Sequence, residues 1–239
     1  MTGTFLARRS TELERLDTEP YGFEEFQEYL HGLEHINRWV LTYRPTLKWL
    51  EKALAALAPG RRISILDVGS GNGDMLRRIW TWGLGRGLDL DLLGIDLNPW
   101  SRKSAELATP PGAPIRFETA DVLDFTPPDP VDFIISSHLT HHLTDEQNVR
   151  FLRWMEAQAR HGWFINDLHR HALPYHAVKY AIPLVSRNPS IRHDAPLSVA
   201  RAFTSADWRG LLDAAGIPAG QTRLAWFFPF RYCVGRSKP

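Results

Sequence analysis

One stretch constrains this chain more than any other: residues 63–74, Ile-Ser-Ile-Leu-Asp-Val-Gly-Ser-Gly-Asn-Gly-Asp. Ile63, Ile65, Leu66 and Val68 form a short apolar run with no breaker, the pattern of a parallel strand buried on both faces. Gly69, Gly71 and Gly73 then permit a tight turn and close approach of backbone to a ligand. Met75, Leu76 and Ile79 begin a helical spacing. A strand, a glycine turn and a helix point backbone N–H groups and a helix N-terminus at whatever lies beyond the strand ends, which suits a nucleotide-like cofactor.

About twenty residues on, Asp91 to Asp96 reads as a second strand. Asp96 closes it, where a carboxylate accepts hydrogen bonds from ribose hydroxyls. A nicotinamide fingerprint would place Gly or Ala three residues after the second glycine; Asp74 stands there instead. The glycines follow a G-x-G-x-G spacing, with Asp67 two residues ahead.

In these motifs the chain resembles the class I methyltransferases that use S-adenosylmethionine. The resemblance rests on residues 67–73 (Asp-Val-Gly-Ser-Gly-Asn-Gly), on Gly94-Ile-Asp96, and on Thr119-Ala-Asp121-Val122 after a third strand, and it covers roughly residues 60 to 170. It implies a doubly wound α/β, Rossmann-like sheet of seven strands with the last antiparallel. It also implies S-adenosylmethionine as cofactor: Asp67, Gly69, Ser70, Gly71 and Gly73 at the methionine portion, Asp96 and Leu97 at the ribose, Asp121 and Val122 at the adenine edge, and Ser137 beside them. Residues 1–60 then form an arm and cap helices, and residues 61–239 the catalytic domain.

The 28 basic and 27 acidic residues are interspersed, so there is no electrostatic footprint for nucleic acid. Cys233 is the one cysteine, which leaves no internal disulfide and no cysteine-rich metal site. No apolar segment follows Arg8 and Arg9, and no run approaches membrane-spanning length. A cytoplasmic protein is expected, without stable membrane insertion; a homodimer is left open.

Residues 1–20 are polar, mixed in charge and end in Glu19-Pro20, as a loosely held arm would. Phe23, Phe26, Tyr29 and Leu30, continued by Leu33, Ile36, Val40 and Leu41, recur at helical spacing. Leu47, Leu50, Leu54 and Leu57 mark a second helix ending before Pro59-Gly60. The segment 37–44, with Tyr43 and Arg44, loosely resembles the N-terminal segment of quinone-pathway methyltransferases, which makes both candidate acceptor contacts.

Further strands are expected at residues 115–119, 131–137 and 162–166, and Thr144-Asp-Glu-Gln147 forms a capping box for a helix over about 145–160. The fourth strand ends in Ser-Ser-His-Leu-Thr-His-His142, unlike the Asn-Pro-Pro-Tyr signature of amino methylases. Residues 171–203 exceed a simple crossover. They hold an apolar helix, Tyr175 to Val185, interrupted by Pro183, and are expected to form a lid over the acceptor. Residues 223–228 and 230–235 alternate as a terminal antiparallel pair.

Methyl transfer from a sulfonium needs an in-line nucleophile and, for a hydroxyl, a base near neutrality, which histidine supplies. Six histidines fall in segments facing the acceptor. His141 and His169 are the candidate bases, with Asp167 able to orient an imidazole. His138, His142, Arg170, His171, Arg192 and His193 are the remaining acceptor-side candidates. Asp167, His169, His171 and His193 also form a set of metal-ligating types, but no metal is expected. The function anticipated is methylation of a small aromatic acceptor, with a phenolic, polyketide or quinone-type hydroxyl favoured. C-methylation of an activated ring and a non-catalytic cofactor-binding protein of the same fold stay open.

Overall fold

The computed structural model describes residues 6–238. Three helices, α1 (Arg15–Thr18), α2 (Phe23–Trp39) and α3 (Tyr43–Leu54), precede the first strand. Alternation then follows: β1 (Ile63–Val68), α4 (Asp74–Leu84), β2 (Leu90–Asp96), α5 (Pro99–Ala108), β3 (Ile115–Thr119), β4 (Val131–Ser137), α6 (Asp145–Gln158) and β5 (Ala159–Leu168). Helices α7 (Ala172–Val185) and α8 (Pro189–Arg201) are inserted before α9 (Ser205–Ala215), and β6 (Thr222–Phe227) and β7 (Arg231–Ser237) close the chain. The strands form one seven-stranded sheet in the order β3-β2-β1-β4-β5-β7-β6, with β7 antiparallel to both neighbours.

The sheet is covered on both faces. Leu66, Val68, Ile134 and Trp163 pack with Phe151 of α6 and Trp208 of α9. Ile65, Leu92, Phe133 and Phe164 pack with Leu50 of α3 and Leu76 and Ile79 of α4 on the other face. Burial on both faces is why β1 reads as a continuous apolar run rather than an alternating one. A third cluster, Phe26, Tyr29 and Leu30 of α2 with Ile182 of α7 and Ile191 of α8, roofs the carboxyl ends of the strands.

The order reverses at β1 and β4, the switch point where a doubly wound sheet leaves its ligand crevice. Helix starts are set locally: Asn98 accepts from the Trp100 N–H at 2.9 Å, Thr144 and Gln147 cap α6 reciprocally, and Thr204 and Asp207 cap α9 in the same way.

Three expectations are corrected. The described part of the arm, residues 6–20, is tied down. Arg9 donates to the Arg201 carbonyl at 2.8 Å and the Leu143 carbonyl at 3.1 Å, pairs with Asp145 and lies over the Phe203 ring. Glu14 is buried. Helix α7 runs through Pro183, because the carbonyl that loses its partner belongs to exposed Lys179 near the helix end. The stretch after it is a second helix, α8, that buries Asp194 and Arg201 as well as Ile191 and Val199.

Candidate active site

The glycine turn and two strand ends build a carboxylate cradle. Gly73 has φ +71, and a Cβ there would lie 2.5 Å from the Phe117 ring, so the entry to α4 closes only on glycine. In β2 a Cβ at Gly94 would sit 2.7 Å from Ser70 Oγ, which lets strand and turn approach. Asp96 then accepts from the Gly71 N–H and the Asn98 N–H, both at 2.9 Å. Burial raises its carboxyl above the usual range in spite of those bonds.

Asp67 is buried at 2 % exposure, and its Oδ1 has no partner among the described residues. Burial, with Asp74 and Asp96 close by, raises it well above an ordinary carboxyl. Ser137 Oγ is likewise buried and unpartnered. Orphaned polar atoms at the ends of β1 and β4 are what a polar cofactor would satisfy, so the residues present fit S-adenosylmethionine. Val122 is buried at the same cleft, Leu97 is exposed on its rim, and exposed Asp121 accepts from the Leu123 N–H at 2.9 Å.

These residues open into one cavity of about 1140 Å³ whose other walls come from the arm, α2, α7 and α8. Beyond the glycine turn, Phe26, Leu33, Ile36, Val178, Ile182 and Phe230 make much of it apolar. His138, His141 and His142 line it as well. Asp167 accepts from His141 Nδ1 at 2.7 Å and from the His141 N–H at 3.1 Å, and Thr140 Oγ1 donates to it. Although burial opposes it, the contact with His141 holds the Asp167 carboxyl below the usual carboxylate range. An ionised carboxylate only accepts, so Nδ1 carries a proton, and in the neutral imidazole Nε2 keeps the lone pair.

His141 Nε2 faces Glu14 Oε1 at 3.7 Å, and His142 Nε2 faces Glu14 Oε2 at 3.8 Å, while His142 Nδ1 meets Asp17 at 3.0 Å. Burial, helped by Asp194 and opposed by His142 and Ser198, pushes the Glu14 carboxyl up to about 7. His138 sits at φ +58, and its Nε2 accepts from Arg231 Nη1. Burial and the Arg231 charge press its pKa well below 6.5, so this imidazole is neutral with its acceptor nitrogen engaged.

The remaining candidates lie elsewhere. His169 is outside the cavity lining: its backbone bonds the Phe230 carbonyl and its ring packs on His171 and Tyr232. Partial burial with His171 and Arg170 nearby lowers it to about 4. His171 caps α7 by accepting from the Leu173 N–H. Arg170 is buried against the Leu6 and Ala202 carbonyls and Asp207. Arg192 holds the Ser186 and Pro183 carbonyls at the end of α7. His193 pairs with Asp194, and Arg44 is exposed away from the cavity. Tyr43 does line the cavity, with its hydroxyl donating to Asp74 at 2.8 Å.

Glu14, Asp17 and Arg231 were not singled out by sequence. Glu14 and Asp17 sit in a polar segment with no periodicity, and Arg231 starts an ordinary alternating strand. Only the rarity of a fully buried arginine marks Arg231, and burial is not written in the local sequence.

The crevice at the switch point, the glycine turn and the strand-end carboxylates are arranged as in the Rossmann-like fold of the class I S-adenosylmethionine-dependent methyltransferases. Residues 65–162 match the family model described as a methyltransferase domain. No curated protein matches the sequence. Among solved structures, human N-acetylserotonin methyltransferase in complex with SAM is similar at 14 % identity and TM-score 0.64, over 91 % of this chain and 56 % of that one. This chain thus spans little more than half of that relative's length. Magnesium protoporphyrin IX methyltransferase from Synechocystis PCC 6803, with bound SAH, matches at 15 % identity and TM-score 0.54 over 94 % and 92 % of the two chains. The plantazolicin methyltransferase BpumL, in complex with a pentazolic desmethylPZN analog and SAH, matches at 15 % identity and TM-score 0.61 over 94 % of each.

Proposed function

We propose that this protein transfers a methyl group from S-adenosylmethionine to a small acceptor, with an aromatic hydroxyl of phenolic, polyketide or quinone type favoured. The observation that carries this is one cavity lined both by the carboxylate cradle and by an imidazole whose Nδ1 is fixed on Asp167. When bound, S-adenosylmethionine supplies an electrophilic methyl on a sulfonium. Asp67, Gly69, Ser70, Gly71, Gly73 and Ser137 would hold its amino-acid end, Asp96 and Leu97 the ribose, and Asp121 and Val122 the base. The apolar walls from α2 and α7 would seat the acceptor's ring and exclude water.

His141 would take the acceptor hydroxyl's proton on Nε2, and Asp167 would stabilise the resulting imidazolium. His142 and Tyr43 would complete the acceptor wall. His169 has no part in this reading, because it lies outside the cavity.

Calorimetric titration with S-adenosylhomocysteine, using NADH and NADPH as controls, tests the cofactor. Micromolar binding of the thioether alone is expected. Binding of a nicotinamide instead would overturn the reaction class.

A further inference from the structure

Three side chains that methyl transfer does not jointly require converge at one edge of the cavity. His141 and His142 are adjacent in the short turn Thr140–His142 that follows β4, with ring centroids 4.4 Å apart. Each ring is held from behind by a carboxylate on Nδ1: Asp167 at 2.7 Å for His141 and Asp17 at 3.0 Å for His142. In its neutral form each therefore presents the Nε2 lone pair forward. Both Nε2 atoms face the same group, Glu14, at 3.7 and 3.8 Å, and the donor atoms of all three residues lie within 4.8 Å of one another. Those separations are too long for hydrogen bonds. They are close to the spacing of about 3–3.5 Å between neighbouring ligands of an ion held at about 2.1 Å.

Charge points the same way. Glu14, Asp167 and Asp194 are each no more than 2 % exposed, and Asp17 joins them at the rim. Arg201 stands 3.9 Å from Glu14, while Arg9 is already paired with Asp145. A bound cation would let these carboxylates be ionised side by side.

We infer that Glu14, His141 and His142 form a binding site for one divalent transition-metal ion of the zinc class, with Asp17 and Asp167 as its positioning residues. Two imidazoles and a carboxylate, each imidazole backed by a carboxylate, suit zinc, cobalt or iron(II). All three side chains line the cavity. Ion and proton are alternatives at His141 Nε2, so metal occupancy and imidazole base catalysis exclude one another there.

The inference does not rest on the methyltransferase reading. The test is titration of chelator-stripped full-length protein with Co²⁺, followed by visible absorption and by competition with Zn²⁺. Binding of one equivalent with a ligand-field band, displaced by Zn²⁺, is expected. His142→Ala, at a partly exposed side chain, should weaken Co²⁺ by at least about 100-fold, and Asp17→Asn by about 10- to 100-fold. His169→Ala should change nothing, which separates this site from the His169–His171 pair. Retained S-adenosylhomocysteine binding by His142→Ala would show that the variant folds. Absence of a stoichiometric Co²⁺ complex, or unchanged affinity in His142→Ala, would overturn the site. Metal binding by a protein that ignores S-adenosylhomocysteine would leave the site standing and remove only the methyltransferase reading.

Discussion

Asp96 illustrates how one carboxylate serves two purposes. Its two oxygens already accept the Gly71 and Asn98 N–H groups, fixing the turn against β2, and under the proposed function a remaining lone pair would take a ribose hydroxyl. Asp96→Ala should weaken S-adenosylhomocysteine binding by about 2 kcal/mol, through lost charge-assisted hydrogen bonds. Calorimetry reads this directly, and unchanged affinity would remove Asp96 from the cofactor site.

Glu14 makes the opposite case, since its folded carboxyl titrates near 7 against 4.5 for the ordinary group. A carboxyl raised on folding contributes stability that is fully present below the unfolded value and lost as pH rises through the folded one. The lost contribution is worth about 3 kcal/mol. Glu14→Gln mimics the protonated acid. With chelator present, the variant should match the parent near pH 4.5 and become more stable than it by about that amount at pH 8, as read by denaturant unfolding. A difference that does not grow across this interval would mean that Glu14 is ionised in the metal-free protein.

At the scale of elements, the close approach of β2 to the glycine turn is the most demanding packing in the cradle. Gly94→Ala would drive a methyl group toward Ser70 Oγ and the Phe117 ring at 2.7 and 2.8 Å. Overpacking of this kind should destabilise the fold by about 1–3 kcal/mol and displace Ser70 with it. A melting temperature and cofactor affinity equal to the parent's would show that the strand has room to move. Strands β1 to β4 were legible because each is an uninterrupted or alternating apolar run ended by turn residues. β5 reaches back to Ala159 and on to Leu168, beyond the run that announced it, since Ala159 and Arg160 read as the end of the preceding helix and Asp167 as lying past the strand end. Helix α8 escaped notice for a related reason: it contains Pro196 and buries Ser190, Asp194 and Arg201, so no apolar stripe declares it. Asp194 and Arg201 are stable inside because distant groups satisfy them, the Tyr29 hydroxyl as well as backbone. Asp194 accepts from the Arg15 and Leu16 N–H groups, and Arg201 donates to the Glu12, His141 and His142 carbonyls.

At the scale of the whole molecule, the cradle and the roof are built from different parts of the chain. The residues proposed to face the cofactor run from Asp67 to Ser137 on a sheet whose two apolar clusters include none of residues 6–20. The roof above His141 depends on those residues: Ser10 bonds the Ala200 carbonyl, Arg9 pins Arg201, His141 and Leu143 through their carbonyls, and Asp194 accepts from the N-terminal N–H groups of α1. Contacts between positions more than a hundred residues apart leave no local pattern, which is why a polar, aperiodic arm conceals its own docking. Removing residues 1–20 should therefore divide the two functions. S-adenosylhomocysteine affinity should stay within about threefold of the parent, a change under 1 kcal/mol. Amide exchange in α7 and α8 should accelerate as Asp194 and Arg201 lose their partners and the buried charges meet water. Calorimetry and hydrogen exchange on the same preparation decide it: a parallel collapse of cofactor affinity would mean that the arm supports the sheet itself, whereas unchanged exchange in α8 would mean that the roof holds without it.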